Sequence, residues 1–112
     1  MNRIYVNRIL LLALLCLPFM PARADLTKEQ QAGLVHLLKH DCGSCHGMTL
    51  KGGLGPSLLP QDLRSRDPEY LQHIISKGIN GTAMPPWEPL LQDDEINYLV
   101  NIILSPLPET GQ

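Results

Sequence analysis

Three stretches of the chain repeat apolar residues with the spacing of an α-helix, and no stretch shows a clear strand pattern. The apolar faces are, in chain order, Leu34, Leu37 and Leu38; Leu71, Ile74 and Ile75; and Ile96, Leu99, Val100 and Ile103. The pattern predicts a small all-α fold with three main helices. Gly33 lies inside the first helix, where it lowers helix propensity and leaves room for another helix to approach closely.

Residues that favour helix ends mark the first two helices. The Thr27 hydroxyl can cap the first helix while Gln30 reaches back to it, which is the capping-box pattern. Asp67 as cap and Pro68 as the first helical residue predict where the second helix begins. Gly78 predicts where that helix ends, because glycine commonly follows the last turn.

The third helix is expected over residues 93–104, with acidic side chains in its first turn and Pro106 beyond its end. The tract 47–66 is rich in Gly and Pro, so it is predicted to be a loop with a functional task. The tail 106–112 is predicted to fray.

The first 24 residues have the parts of a secretory signal peptide. Arginines charge the first segment, residues 9–19 form an apolar run, and Ala22-Arg23-Ala24 offers a small-x-small cleavage pattern. An uncleaved anchor is the alternative, but the run is too short to cross a bilayer, which takes about 20 residues. The expected organisation is a signal peptide over 1–24 and one exported domain over 25–112, without stable membrane insertion.

Cys42-Gly43-Ser44-Cys45-His46 carries the Cys-x-x-Cys-His signature of c-type haem attachment. On a helical turn both sulfurs can bond the porphyrin while the His46 imidazole reaches the iron. A redox-active dithiol would need a βαβ context, and a zinc site would need a second pair of ligands. The sequence therefore predicts one covalent haem c, linked through Cys42 and Cys45.

Met84 is the expected second iron ligand. Pro85 favours an extended Met84, and the proline that follows stiffens the same loop. A lone methionine otherwise serves as adaptable core packing, and Met48 and His73 are the rival ligands. Bis-histidine ligation through His73 would lower the reduction potential.

Other residues are expected around the haem. The Pro56 carbonyl is expected to accept a hydrogen bond from the second ring nitrogen of His46. Trp87 can donate its indole N–H to a haem propionate or simply pack. Lys51 and Arg64 can neutralise propionates or stay solvated.

Together these segments resemble the class I c-type cytochromes over residues 27–105. The shared features are Cys-x-x-Cys-His-Gly, a Gly-Pro about ten residues later, and Met-Pro before a final amphipathic helix. Cys-Gly-Ser-Cys-His-Gly and Gly-Thr-Ala-Met-Pro-Pro-Trp more narrowly resemble the small monohaem periplasmic cytochrome encoded with haem c/haem d nitrite reductases of denitrifying bacteria. The resemblance implies a small helical fold, His46 and Met84 as axial ligands, and one-electron transfer.

The expected function is a monomeric periplasmic electron carrier that donates to nitrite reductase and is not an enzyme. With six basic side chains against eleven acidic ones, residues 25–112 have a formal charge of −5, which disfavours nucleic acid and favours a partner with a basic surface. Two alternatives stay open. One is a role in haem d maturation, and the other is a haem enzyme or gas-binding protein in which Met84 dissociates.

Overall fold

The computed structural model describes residues 25–105, which contain five α-helices, one π-helical turn and no β-strand. The elements are α1 (Lys28–Leu37), the π-helical turn (Leu38–Cys42), α2 (Gly43–His46), α3 (Pro60–Leu63), α4 (Pro68–Lys77) and α5 (Asp93–Leu104). The three main helices expected from the sequence are α1, α4 and α5, and the all-α expectation is confirmed. The predicted signal peptide and the predicted frayed tail lie outside the described residues.

α1 begins at the expected capping box. The Gln30 N–H donates to the Thr27 hydroxyl at 3.2 Å, and the Thr27 N–H donates to the Gln30 side-chain oxygen at 2.8 Å. After Leu37 the chain stays helical through the π-helical turn and α2 as far as His46. A π-helical turn is wider than an α-helical one, so it changes the direction in which the following side chains point.

α4 begins and ends at the residues that the sequence indicated. The Asp67 carboxylate accepts a hydrogen bond from the Glu69 N–H at 2.8 Å, and Pro68 is the first helical residue. Gly78 follows the helix with φ +68° and ψ −173°, a backbone conformation that is essentially restricted to glycine. α4 therefore ends at a position whose backbone angles only glycine adopts readily.

α5 contributes the largest share of the core. Its apolar face is Ile96, Leu99, Val100 and Ile103, and each of these side chains is at most 3% exposed. α4, α3 and α1 all pack against α5. Burying an aliphatic side chain of this size contributes about 1.5–3 kcal/mol relative to leaving it exposed, so the predicted face of α5 holds the other helices together.

Two expectations about local structure are wrong. The tract 47–66 is not all loop, because Pro60 begins the short helix α3 and its Leu63 is buried in the core. Gly33 does not mark a close helix contact, since a Cβ built on it meets no atom within 4 Å. Within residues 25–105, no helix has the length and apolar character needed to span a membrane.

Candidate functional site

A cavity of about 770 Å³ lies between the α1–α2 helical run, α4 and the loops that follow α2 and α4. Its volume falls in the range of about 300–1,000 Å³ that is typical of ligand and cofactor sites. The walls are mainly aliphatic, with side chains from α1, α4 and α5. All six site residues expected from the sequence line it: Cys42, Cys45, His46, Pro56, Met84 and Trp87.

The His46 ring is oriented by a hydrogen bond. Its Nδ1 lies 2.7 Å from the carbonyl oxygen of Pro56, which can only accept, so Nδ1 carries the proton and donates. Nε2 is then unprotonated in the neutral ring and offers its lone pair to a metal. Pro56 thus selects the tautomer that a metal-binding imidazole needs.

The backbone of the following loop approaches His46 very closely. A Cβ built on Gly55 would lie 2.7 Å from both Nδ1 and Cε1 of His46, a distance that real Cβ contacts do not reach. The Gly55 N–H donates to the Cys45 carbonyl at 2.8 Å, and the Gly52 N–H donates to the His46 carbonyl at 2.8 Å. The loop is therefore fixed to α2, and only a glycine leaves space for the ring.

Cys42 and Cys45 are not joined by a disulfide, and both are partly buried in the cavity wall. Burial raises the pKa of the Cys42 thiol to about 11, and the negative charge of Asp41 acts in the same direction. Reactive Cys-x-x-Cys dithiols instead have a lowered thiol pKa, because the thiolate is the nucleophile. The environment of Cys42 thus disfavours the dithiol alternative.

Met84 reaches the cavity from the loop that follows α4. The Ile79 N–H donates to the Met84 carbonyl at 3.2 Å, and the Met84 N–H donates to the Thr82 hydroxyl at 3.3 Å. The Thr82 hydroxyl donates in turn to the Ile79 carbonyl at 2.7 Å. These hydrogen bonds close a tight loop around the backbone of Met84.

The same loop is fastened to the end of α4 on the other side of Met84. The Trp87 N–H donates to the Ile75 carbonyl at 3.0 Å, and the Glu88 N–H donates to the Ser76 carbonyl at 3.2 Å. Lys77 and Glu88 form an ion pair at the surface, and the Trp87 side chain packs against the core. The last turns of α4 thereby fix the path of the chain on the C-terminal side of Met84.

The backbone on the α4 side also comes close to Met84. A Cβ built on Gly78 would lie 2.7 Å from the Met84 carbonyl oxygen and 2.8 Å from Pro85 and Pro86 backbone atoms. Glycine is therefore required at position 78 for its space as well as for its backbone angles.

The rival ligands do not line the cavity. Met48 is 59% exposed, and His73 is an exposed residue of α4. Lys51 and Arg64 are also exposed and lie outside the lining. Among residues 25–105, no group of three or more His, Cys, Asp or Glu side chains converges as a metal site, so the zinc alternative has no ligand set there.

Several lining residues were not foreseen from the sequence. Arg66 is the cationic side chain in the lining, rather than Arg64 or Lys51. Leu54, Tyr70 and Ile79 line the cavity although they are 92%, 50% and 43% exposed. Their exposure places them where the cavity opens to the surface. For Leu54, the sequence signal that could have indicated this position was an apolar residue between two glycines.

Comparison with known proteins identifies the family. A family model described as Cytochrome C oxidase, cbb3-type, subunit III matches residues 29–101, which is more than half of the chain. The chain belongs to this family of c-type cytochromes. It is thus an electron-transfer protein, and haem c is the cofactor that its family implies. The resemblance to a small c-type cytochrome is confirmed.

Individual relatives agree with the family assignment. Cytochrome c55X of Stutzerimonas stutzeri is 46% identical over 81 residues, covering 72% of this chain and 72% of the relative. The structure of c-type cytochrome NirC is 46% identical, with a TM-score of 0.69, over 70% of this chain and 93% of that one. Dihydro-heme d1 dehydrogenase NirN in complex with DHE is 31% identical with a TM-score of 0.62. That match covers 70% of this chain but only 17% of NirN, so it concerns a small part of the dehydrogenase.

Proposed function

We propose that this chain is a periplasmic one-electron carrier with a single haem c, held by thioether bonds to Cys42 and Cys45. His46 and Met84 would be its iron ligands. The observation that carries the proposal is that these four residues line one apolar cavity, in a chain whose family implies haem c. The bound haem would supply the one-electron exchange between ferric and ferrous iron.

The residues present fit that cofactor. His46 offers Nε2 because Pro56 accepts from Nδ1, and Met84 offers a thioether sulfur, a soft and weak ligand. Aliphatic side chains make up most of the wall and exclude water, which favours the less charged ferrous state. If His46 and Met84 both held the haem iron, no ligand position would be left for a substrate, which would favour electron transfer over gas binding.

The proposed electron acceptor is a haem c/haem d nitrite reductase. The proposal is supported by the narrow sequence resemblance stated above and by the similarity to cytochrome c55X and NirC. The formal charge of −5 on residues 25–112 favours encounter with a basic surface, at a rate that falls with ionic strength. Transient redox complexes bury little surface, so we expect weak and rapidly exchanging contacts.

A second candidate function is electron transfer during haem d1 maturation. The observation that favours it is the match to part of dihydro-heme d1 dehydrogenase NirN, at 31% identity and a TM-score of 0.62. A dehydrogenase has to pass on the electrons that it removes, and a similar cytochrome is a suitable carrier for them. Both functions require the same haem site, so partner kinetics have to distinguish them.

Covalent haem attachment is tested by haem staining after denaturing electrophoresis of the protein exported from a host with a c-type maturation system. The wild-type band should stain for haem. A Cys42→Ser, Cys45→Ser variant should export without stain, because non-covalent haem is lost on denaturation. A colourless wild-type protein recovered in the periplasm would contradict the cofactor proposal.

The acceptor is tested by stopped-flow mixing of the reduced cytochrome with purified nitrite reductase. We expect haem oxidation at a rate that falls with added salt. If the reductase is not reduced, while a strain lacking this chain accumulates nitrite reductase without haem d1, the maturation function replaces the first proposal. If neither effect is seen, both partner assignments are wrong and the haem assignment still stands.

A further inference from the structure

His36 and His40 form a pair on the surface of the helical run that leads to the haem-attachment motif. His36 belongs to α1 and His40 to the π-helical turn, and both are exposed. Their ring centroids lie 4.1 Å apart, with ring planes 36° from parallel. Residues four apart on a helix lie on the same face, one turn above the other, which explains the contact.

The pair lies outside the lining of the haem cavity. Leu37, Leu38, Asp41 and Cys42 line the cavity, whereas neither histidine is part of the lining. The functions described above therefore leave these two imidazoles without a role. Because both rings are exposed, their contact contributes little through burial of apolar surface.

We propose that His36 and His40 form a bidentate binding site for a divalent late first-row metal ion. Copper(II) is the ion that we expect this site to bind most tightly. Imidazole nitrogens bind such ions at about 2.0–2.1 Å, so two of them can share one ion when their rings are as close as these are. Histidines at i and i+4 on one helix face are an established arrangement for metal binding. Copper(II) stands highest in the affinity order of the divalent series.

The site is an open one. Within the described part of the chain, no third His, Cys, Asp or Glu converges with the pair, so water would complete the coordination. The net negative charge of residues 25–112 favours the approach of a cation. Two imidazoles bind the ion more tightly than one, because the first nitrogen holds the ion at a high effective concentration next to the second.

The test is calorimetric titration of copper(II) into the oxidised haem-loaded protein, without an affinity tag and in a weakly coordinating buffer. We expect one equivalent to bind, with the affinity at least ~10-fold weaker in His36→Gln and in His40→Gln. His73→Gln is the matched control, because His73 is an exposed helical histidine outside this pair. It should bind copper(II) as the wild type does.

Paramagnetic resonance of the wild-type complex provides a second readout that does not depend on the variants folding. The copper(II) signal should carry superhyperfine splitting from two equivalent nitrogens. A spectrum without nitrogen ligands, unchanged binding in His36→Gln and His40→Gln, or an equal loss in His73→Gln would overturn the proposal. The haem Soret band should be the same in all three variants, because none of these histidines lines the cavity.

Discussion

The segments that carry His46 and Met84 are held in different ways. His46 is the last residue of a helix, and its ring itself is fixed, by the 2.7 Å hydrogen bond to Pro56 and by the Gly55 backbone against it. Met84 lies in a loop, and the hydrogen bonds that hold it involve its backbone. The imidazole is therefore positioned directly, whereas the thioether follows the course of a loop tied to α4. We expect the methionine side to respond more readily to changes made at a distance.

Met84→Ala gives the largest expected effect. Loss of the sulfur ligand should abolish the near-infrared sulfur-to-iron charge-transfer band and lower the midpoint potential by about 0.1 V or more, within the ~0.8 V range that axial ligands set. Haem attachment should persist, because the attaching residues lie on the other segment. Met48→Ala is the control. Loss of the band in that variant but not in Met84→Ala would mean that the ligand is misassigned.

Gly78→Ala tests whether α4 positions Met84 through the backbone. An alanine here would have to adopt backbone angles that are unfavourable for any residue with a Cβ, and its Cβ would lie 2.7 Å from the Met84 carbonyl oxygen. We therefore expect the variant to be destabilised by about 3 kcal/mol and to show a weaker charge-transfer band. Gly81→Ala is the control, since Gly81 has φ +79° but no atom within 4 Å of its Cβ. Gly81→Ala should lower the free energy of unfolding by about 1 kcal/mol and keep the charge-transfer band. Denaturant unfolding with the band as a second signal measures both, and equal effects would argue against a role for the close contact.

Gly55→Ala makes the corresponding change on the histidine side. The new methyl group would contact the His46 ring, which cannot move without losing its bond to Pro56, so we expect about 2 kcal/mol of destabilisation. The midpoint potential should shift while the charge-transfer band persists. Gly33→Ala is the control, because Gly33 lies in α1 with open space around it. It should stabilise the protein by about 1 kcal/mol, since alanine favours helix more than glycine does.

Glu88→Gln gives the smallest expected effect. The hydrogen bond from Lys77 lowers the pKa of the Glu88 carboxyl, which is exposed at the surface. A lowered folded-state pKa stabilises the fold above the unfolded-state pKa of about 4.3, and that contribution is lost as pH falls through the folded-state pKa. The variant should unfold slightly more easily than the wild type at pH 7, and the two should converge in acid.

Lys77→Gln provides the partner for a double-mutant cycle. If the ion pair is the cause, Glu88→Gln should have no further effect in the Lys77→Gln background. A difference between wild type and Glu88→Gln that persists at low pH would mean that another contact of this side chain is responsible.

The main helices could be predicted because their signals are local. Thr27 with Gln30 and Asp67 with Pro68 fix helix starts within a few residues of sequence, and α5 shows an uninterrupted apolar period. α3 was missed because the glycines and prolines before it obscured the helix-starting position of Pro60. Core residues from irregular segments, such as Leu50 and Leu91, have no period to reveal them.

The site was predictable where its motifs are contiguous. Cys42, Cys45 and His46 lie within five residues, and Met84 is marked by its prolines, so chemistry and spacing were enough to expect these residues around one cavity. Their roles in haem attachment and iron ligation stay predictions. The steric needs at Gly55 and Gly78 depend on which backbone folds against them, which composition does not indicate. The π-helical turn was missed for a different reason, which is that its residues would suit an α-helix equally well.

That turn has a consequence for how the chain can change in length. A π-helical turn closes over five residues where an α-helical turn closes over four, so deleting one residue between 38 and 41 would restore an ordinary helix and leave the direction of Cys42 relative to α1 nearly unchanged. Substitution at the exposed Lys39 or His40 leaves this register intact. This turn is thus the place where the helical run can lose one residue while Leu34 and Cys42 keep their relative directions, whereas losing a second residue would rotate Cys42 by about 100°.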